Sequence, residues 1–175
     1  MMAYSGWTFA LIAVGLLSAG SSLAQDRSRS PGGTTDHIDS AGGDDAADGR
    51  TPGRAWRSFA PANRLVFAAG DRLLLKSGCR FTGALDLRGE GTAEAPIRLS
   101  RYGDGPLPLL AGEGVPDSVL TIRDGQYWEI SELEITNTLP DGARRDNLRG
   151  VAILASGGGV FRHIVMRGLH IHDVS

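Results

Sequence analysis

From Arg72 onward, the chain consists of short alternations of apolar and polar residues, interrupted every few residues by Gly, Asp, Asn or Pro. Each alternation places two apolar side chains on the same face of a short strand. A β-sandwich would use longer strands joined by hairpin signals such as Asn-Gly, and this sequence has none. The pattern therefore predicts an all-β fold. The apolar pairs are Leu73/Leu75, Leu85/Leu87, Ile97/Leu99, Leu120/Ile122, Trp128/Ile130, Leu133/Ile135, Val151/Ile153 and Leu169/Ile171.

A shift of 36 residues superposes two copies of one pattern, because residue 128 then falls on residue 164. All four apolar positions stay apolar, and the fifth is Asn in one copy and Asp in the other. Inward residues that stack on the coil above, with Asn or Asp bonding turn backbone at a corner, are typical of a solenoid. The two copies are Trp128, Ile130, Leu133, Ile135, Asn137 and Ile164, Met166, Leu169, Ile171, Asp173.

Six segments resemble parts of one known group. DDAADGRTP (44–52) and AWRS (55–58) resemble its entry segment, and AGDRLLL (69–75), API (95–97), YGDG (102–105) and LHIHDV (169–174) resemble successive coils. They are similar to bacterial right-handed parallel β-helix proteins of the pectate-lyase-like superfamily, over roughly residue 36 to the end. The resemblance implies a stack of triangular coils with three short parallel sheets. The fold predicted is thus an all-β, right-handed parallel β-helix with a short N-terminal capping helix.

The capping helix is predicted just before the coils. Thr51 and Pro52 have the pattern of an N-cap followed by proline at the first helical position. Trp56 and Phe59 would share one face of a helix that ends by Pro61. Such a helix would close the first coil and cover its apolar interior.

Four regions are predicted along the chain. Residues 1–24 carry no charged side chain and contain an apolar run followed by small residues, as in a signal peptide cleaved before Gln25. Residues 25–35 are interpreted as a flexible linker, 36–71 as the N-terminal segment and cap, and 72–175 as the coils. We expect the coil array to be incomplete at its C-terminus, and the protein to be secreted or periplasmic in a bacterium.

Composition limits the function. With 18 Lys and Arg against 20 Asp and Glu, the net charge of −2 disfavours nucleic acid as a partner. After signal cleavage no membrane partner is expected. The resemblance implies a carbohydrate-active protein, a polysaccharide lyase or glycoside hydrolase if catalytic, acting on an acidic or cell-wall polysaccharide. The catalytic coils would lie outside this chain. The alternatives are a non-catalytic, adhesin-like solenoid and an inactive truncated product.

Three acidic residues form a candidate calcium site. Asp44, Asp45 and Asp48 cluster in a turn-rich segment, and Ca²⁺ prefers carboxylate oxygens. An EF-hand loop beginning at Asp44 fails, since Ala46 and Ala55 occupy its third and twelfth positions. A solvated acidic turn is the alternative interpretation.

Two histidines form a second candidate. His170 and His172 lie two apart on a predicted strand, so both imidazoles project from its outer face, with Asp173 beside them. This pattern suits a metal site, an acid–base pair or substrate contact. In the other copy the equivalent residues are Glu134 and Thr136, which favours a tolerant solvent-facing surface.

A charged loop between two predicted coils is the third candidate site. Its guanidinium groups suit the carboxylates or sulfates of an acidic polysaccharide. Asp141 and Asp146 in the same loop suggest internal pairing instead. The three candidate basic residues are Arg144, Arg145 and Arg149.

Overall fold

The computed structural model describes residues 27–157 and 160–175, so the proposed signal peptide, residues 1–24, lies outside the described residues. This part of the chain is all-β, as predicted. Its strands are β1 (Ser28–Arg29), β2 (Thr35–Ile38), β3 (Leu65–Val66), β4 (Arg72–Lys76), β5 (Arg80–Thr82), β6 (Leu85–Glu90), β7 (Ile97–Tyr102), β8 (Leu109–Ala111), β9 (Ser118–Gln126), β10 (Trp128–Ser131), β11 (Glu134–Asn137), β12 (Arg149–Leu154), β13 (Ile164–Arg167) and β14 (His170–Val174).

From β4 onward, successive strands belong in turn to three different sheets, and this order repeats along the chain. Sheet A has the order β13-β10-β7-β4-β2, sheet B the order β14-β11-β8-β5, and sheet C the order β12-β9-β6. Every pairing between neighbouring strands is parallel. The short connections lead from one sheet to the next, because parallel neighbours cannot be joined by a tight hairpin.

The apolar side chains of these alternating pairs fill the space between the three sheets. Six of the eight predicted apolar pairs are fully buried or within 1% of it, which confirms their inward direction. Trp128 lies edge-on to Phe67, with ring centroids 5.7 Å apart, and its indole N–H donates to the carbonyl of Gly89 at 2.9 Å. Gly89 is required there, since a Cβ would lie 2.1 Å from the Phe67 carbonyl oxygen.

The 36-residue offset is the register of neighbouring parallel strands in sheets A and B. Trp128 pairs with Ile164 in sheet A, and Ile135 pairs with Ile171 in sheet B. The match fails at the last position, where Asn137 pairs with Val174 instead of Asp173 because a β-bulge intervenes.

Asn137 makes the corner contacts expected of it. Its buried side-chain oxygen accepts from the N–H of Gly114, and its amide nitrogen donates to the carbonyls of Val115 and Arg149, each at 3.1 Å. One amide thereby joins the turn between β8 and β9 to the start of β12. Asp173, by contrast, is exposed and has a φ of 47°.

The prediction of an N-terminal capping helix is wrong. Only short 3-10 turns form, at Pro52–Arg54 and Ala62–Arg64. Between them, Trp56 forms a parallel bridge with Ile38. The N–H groups of Arg57 and Ser58 both donate to the carboxylate of Asp45 at 2.8 Å, so they are not available for helical bonds.

The aromatic residues of that segment are nevertheless buried in the core. Trp56 is 6% and Phe59 4% exposed, and Phe59 stacks on Phe81 with ring centroids 5.6 Å apart. An extended segment thus closes the N-terminal end of the core in place of a helix.

Part of the segment interpreted as a linker is paired in the structure. Ser28–Arg29 runs parallel to Leu65–Val66, and the N–H of Ser30 donates to the carbonyl of Val66 at 2.9 Å. Among the described residues, no helix has the length and apolar character needed to cross a bilayer.

The opposite end of the core is more exposed. Ile153 and Ile171 belong to inward-facing pairs, yet they are 49% and 46% exposed. They lie on β12 and β14, the outermost strands of sheets C and B in the described chain. The last layer of apolar side chains is therefore partly open to solvent.

Candidate functional site

The outer face of sheet B carries a cluster of ionisable side chains. Because side chains alternate along a strand, the buried Ile135 directs its neighbours Glu134 and Thr136 outward. Glu134 pairs directly with His170 on the adjacent strand β14. His172, two residues further, projects from the same face. The prediction that both imidazoles share the outer face is confirmed.

The β-bulge in β14 brings Asp173 to this face. Its left-handed backbone, with φ of 47°, is one that Asp tolerates better than most residues. The Asp173 carboxylate Oδ2 consequently lies 2.8 Å from Nδ1 of His172. On the other side of the ring, Nε2 lies 2.9 Å from Oε1 of Glu134.

His172 is held between two carboxylates. The hydrogen bond with Glu134, followed by that with Asp173, raises the pKa of His172 above its ordinary value of 6.5, against a smaller effect of desolvation. Carboxylate oxygens only accept hydrogen bonds, so a ring that bonds to both must carry a proton on each nitrogen. In the absence of another cation, this geometry favours the imidazolium form.

His170 completes a three-residue group. Its ring lies 4.4 Å from that of His172, centroid to centroid, at a tilt of 34°. One ligand atom from each of Glu134, His170 and His172 lies within 4.8 Å of the other two. Sequence reasoning missed Glu134. The signal was present, since the 36-residue offset pairs it with His170.

A groove of about 480 Å³ runs over the same sheet face. It combines charged, hydroxyl and apolar groups. Within it, Arg80 on β5 and Glu113 form an ion pair with a 2.9 Å N–O distance. Neither residue stood out in the sequence, because they lie 33 positions apart and come together only through the pairing of β5 with β8. The lining residues are Arg80, Leu109, Glu113, Glu134, Thr136, Thr138, Leu139, Pro140, His172, Asp173 and Ser175.

The three candidate arginines do not form one cluster. Arg145 donates to the carbonyl of Gly114 at 3.0 Å, and Arg149 lies 3.7 Å from a carboxylate oxygen of Asp117. Arg144 is exposed on the loop. Two of the three guanidinium groups thus have partners within the protein.

The three candidate calcium ligands are each engaged in a separate local contact. Asp44 accepts from the N–H of Ala46 at 3.0 Å, and Asp45 accepts from the hydroxyl of Ser58 at 2.6 Å. Asp48 pairs with Arg54. In the described part of the chain, the potential metal ligands that lie together are instead Glu134, His170 and His172 on sheet B.

A second groove, of about 370 Å³, lies beside sheet C and is richer in arginine. Arg29, Arg88 and Arg123 line it, together with Glu90 and Asp124. Arg123 is bound to Asp86 at 2.8 Å. The acidic residues thus offset much of the positive charge.

Comparisons with known proteins identify similar glycoside hydrolases, although no family model matches the sequence. A lacto-N-biosidase from Bifidobacterium longum subsp. longum is 30% identical over 192 residues, covering 81% of this chain. An alpha-1,3-galactosidase A from Akkermansia muciniphila is 42% identical over 74 residues, or 42% of this chain. The chain spans 12% of the length of each of these two curated proteins.

Solved structures that are similar to this chain are also glycoside hydrolases. The native crystal structure of a GH136 lacto-N-biosidase from Eubacterium ramulus superposes with a TM-score of 0.74 and 30% identity. The match covers 81% of this chain and 27% of that one. Its selenomethionine derivative gives a TM-score of 0.71.

These matches correct the assignment to the pectate-lyase-like superfamily, which is wrong, because the similar proteins are glycoside hydrolases. The segments that suggested that superfamily are short alternations bounded by Gly and Asp. Such segments satisfy the backbone requirements of stacked parallel strands, so they report local structure and do not distinguish between families.

Proposed function

We propose that this chain is an oligosaccharide-binding part of a glycoside hydrolase, and that the sheet B groove holds the sugar. The observation that carries the proposal is the 30% identity to a GH136 lacto-N-biosidase over 81% of this chain, with a TM-score of 0.74. Hydrolysis of a glycosidic bond is the reaction class that the relatives' names suggest.

The composition of the groove supports a sugar ligand. Sugar hydroxyls both donate and accept hydrogen bonds, so they need partners of both kinds. Arg80 supplies donors, Glu113 supplies acceptors, and Thr136 and Thr138 supply hydroxyls. Leu109 and Leu139 provide the apolar surface against which the C–H faces of a sugar ring can pack. A concave site with a few converging polar groups is the usual form of a small-ligand pocket.

The charge balance of the groove favours a neutral sugar over the acidic polysaccharide expected from the sequence. Glu113, Glu134 and Asp173 contribute three carboxylates, while Arg80 contributes one permanent positive charge. A uronate placed there would meet net repulsion unless His172 and further cations offset it.

We further propose the finer description of the fold as a right-handed parallel β-helix. Its support is the repeated order of sheets A, B and C along the chain. Crossovers between parallel strands are right-handed in nearly all known cases.

Export belongs to the same proposal. A signal peptide at residues 1–24 would place the protein outside the cytoplasm, secreted or periplasmic, with the N-terminal segment at 36–71 and the coils over 72–175 in the exported part. The support is the uncharged apolar run followed by Ser22-Leu23-Ala24.

The test is a binding titration by calorimetry with three ligands. These are a lacto-N-bioside, a disaccharide with an α-1,3-linked galactose, and an oligogalacturonide as the acidic competitor. Hydrolysis is followed in parallel with aryl glycosides of the two neutral sugars. We expect one neutral ligand to bind, and Glu113→Gln to weaken its binding roughly tenfold through the loss of a charged acceptor.

Glu129→Gln is the matched control. Glu129 forms an ion pair with Arg98 at 2.9 Å, the same distance as the groove pair, but on the outer face of sheet A. Loss of sugar binding in the control and groove variants alike, or binding of the oligogalacturonide alone, would refute the groove assignment. Neutral-sugar binding without hydrolysis would favour the non-catalytic alternative.

A further inference from the structure

We propose that Glu134, His170 and His172 form a binding site for a divalent transition-metal ion, with Zn²⁺ as the preferred occupant. The site goes beyond sugar binding and does not depend on it. Two imidazoles and one carboxylate are ligands that Zn²⁺ takes up readily, whereas Ca²⁺ and Mg²⁺ prefer sets made up of oxygens.

The spacing of the three groups is close to that of a metal site. Bonds of 2.0–2.1 Å in tetrahedral geometry place neighbouring ligand atoms about 3.4 Å apart. His172 Nε2 and Glu134 Oε1 are 2.9 Å apart, and all three groups fall within 4.8 Å. Since His170 is exposed at the sheet surface, a rotation of its side chain can close the remaining gap.

Asp173 supplies the outer contact that metal-binding histidines usually have. Its carboxylate lies 2.8 Å from Nδ1 of His172, and this contact fixes the ring with Nε2 directed toward Glu134. A carboxylate behind the ligating histidine sets the tautomer and raises the basicity of the ligand. The β-bulge at Asp173 is what makes this contact possible.

The chain contributes three ligands, which leaves a fourth position for water or another ligand. Glu134 and His172 both line the sheet B groove. An open coordination position beside a ligand groove is typical of zinc sites that act on ligands, whereas purely structural zinc sites are closed by four protein ligands.

Zinc and a proton compete for the same place. Zn²⁺ binds the neutral imidazole, so a metal ion has to displace any proton on the nitrogen that ligates it. Binding should therefore release protons and strengthen as the pH rises. The other charged or titratable groups facing the cluster are His170 and Asp173 on β14, Arg80 on β5, and Glu113 in the loop after β8.

The experiment uses the tag-free chain after EDTA treatment and dialysis. Zn²⁺ is titrated by calorimetry in two buffers of different ionisation enthalpy, which gives affinity, stoichiometry and proton release. Co²⁺ is titrated separately, and its visible d–d absorption reports coordination geometry. We expect one ion per chain, proton release, and a tetrahedral or five-coordinate Co²⁺ spectrum.

Variants identify the ligands. His170→Gln and Glu134→Gln should each weaken Zn²⁺ binding at least tenfold, and Asp173→Asn about tenfold as an outer contact. His163→Gln is the matched control, because His163 also lies near a glutamate, 3.8 Å from Glu129, but on sheet A's side of the fold. It should leave the affinity unchanged.

Since His170 is exposed, its variant is expected to fold, and thermal unfolding of each apo variant checks this. Retained Zn²⁺ affinity in His170→Gln would overturn the site. So would the absence of Zn²⁺ binding by the folded parent chain, a result that would mean the cluster is an imidazolium held by two carboxylates and nothing more.

Discussion

Asp36 is a carboxylate buried in the core at its N-terminal end. It lies on β2 opposite Leu73, on the inward face of sheet A, and is 0% exposed. Neither of its oxygens has a hydrogen-bond partner among the described residues, although Nη1 of Arg50 lies 3.2 Å away. Desolvation raises the pKa of Asp36 from 3.8 to about 6. Arg50 opposes this shift, while Asp71 and Asp48 add to it.

This shift makes stability depend on pH with a defined sign. A group whose pKa is higher in the folded state stabilises the fold fully below its unfolded pKa, and that stabilisation is lost as the pH rises through the folded pKa. For Asp36 the interval runs from about 3.8 to about 6. The difference corresponds to roughly 3 kcal/mol of unfolding free energy at neutral pH, at 1.36 kcal/mol per pKa unit.

Asp36→Asn removes this ionisation with little change of shape. We expect the variant to gain stability relative to the parent chain as the pH increases, by roughly 2 to 3 kcal/mol between pH 4 and pH 7.5. A constant offset from the loss of the Arg50 contact does not alter this dependence on pH. The assay is urea unfolding of both proteins at several pH values, monitored by tryptophan fluorescence.

Asp71→Asn provides a contrast, because it removes a buried carboxylate that is fully hydrogen-bonded. Asp71 is equally buried, but its carboxylate accepts from the N–H and hydroxyl of Thr34 and from the N–H of Ala68, at 2.7 to 2.9 Å. In the variant, the side-chain NH₂ group would face an N–H or O–H group that now donates to the carboxylate. We therefore expect the free energy of unfolding to fall by about 1 to 3 kcal/mol. If Asp36→Asn and the parent chain differed by the same amount at every pH, the argument from burial would be refuted.

Further predictions concern the buried amide of Asn137, the close contact at Gly89, the exposed apolar residues Ile153 and Ile171, and the histidine cluster. Asn137→Ala should lower the unfolding free energy by about 2 to 4 kcal/mol in urea titrations, since it leaves two carbonyls and one N–H without their partner; a loss below 1 kcal/mol would contradict this. Gly89→Ala should abolish soluble expression or lower Tm strongly, because of the clash with Phe67, and a Tm equal to the parent's would count against it. The chain should self-associate through its open end, and Ile153→Lys with Ile171→Lys should shift it toward monomer in sedimentation velocity; a monomeric parent would disprove that. Glu134→Gln should lower the pKa of the His172 imidazole measured by NMR, since it removes the first of the two carboxylate contacts, whereas an unchanged titration would exclude the contact.

The candidate site was only partly predictable from the sequence. The outward direction of His170 and His172 follows from alternation along a strand, and the 36-residue offset already placed Glu134 opposite His170. The difference between Glu134 and His170 at equivalent positions is also typical of a solvent-facing surface, so the sequence alone does not mark this pair as a site. The contact of Asp173 with His172 could not be foreseen, because a bulge depends on how two particular strands fit together.

The sequence alone predicts the all-β class and the inward direction of the side chains in the strands that carry an apolar pair. Alternation has a period of two residues in any strand, so apolar residues at every second position mark the inward face without further information. The repeat also indicates the register of two strand pairs, β10 with β13 and β11 with β14, because inward residues of neighbouring parallel strands lie in line. For these reasons pairs such as Leu73/Leu75 and Trp128/Ile130 were correctly placed in the core.

The remaining features depend on contacts between residues that are far apart in the chain. Trp56 lies in an extended segment because Asp45 accepts the backbone N–H groups that a helix would have used. Asp36 is buried although it is polar, since pairing with β4 directs it inward. The ion pair of Arg80 and Glu113 joins residues more than thirty positions apart. In each case the outcome depends on a hydrogen bond or strand pairing between distant residues, and a local pattern carries no information about such partners.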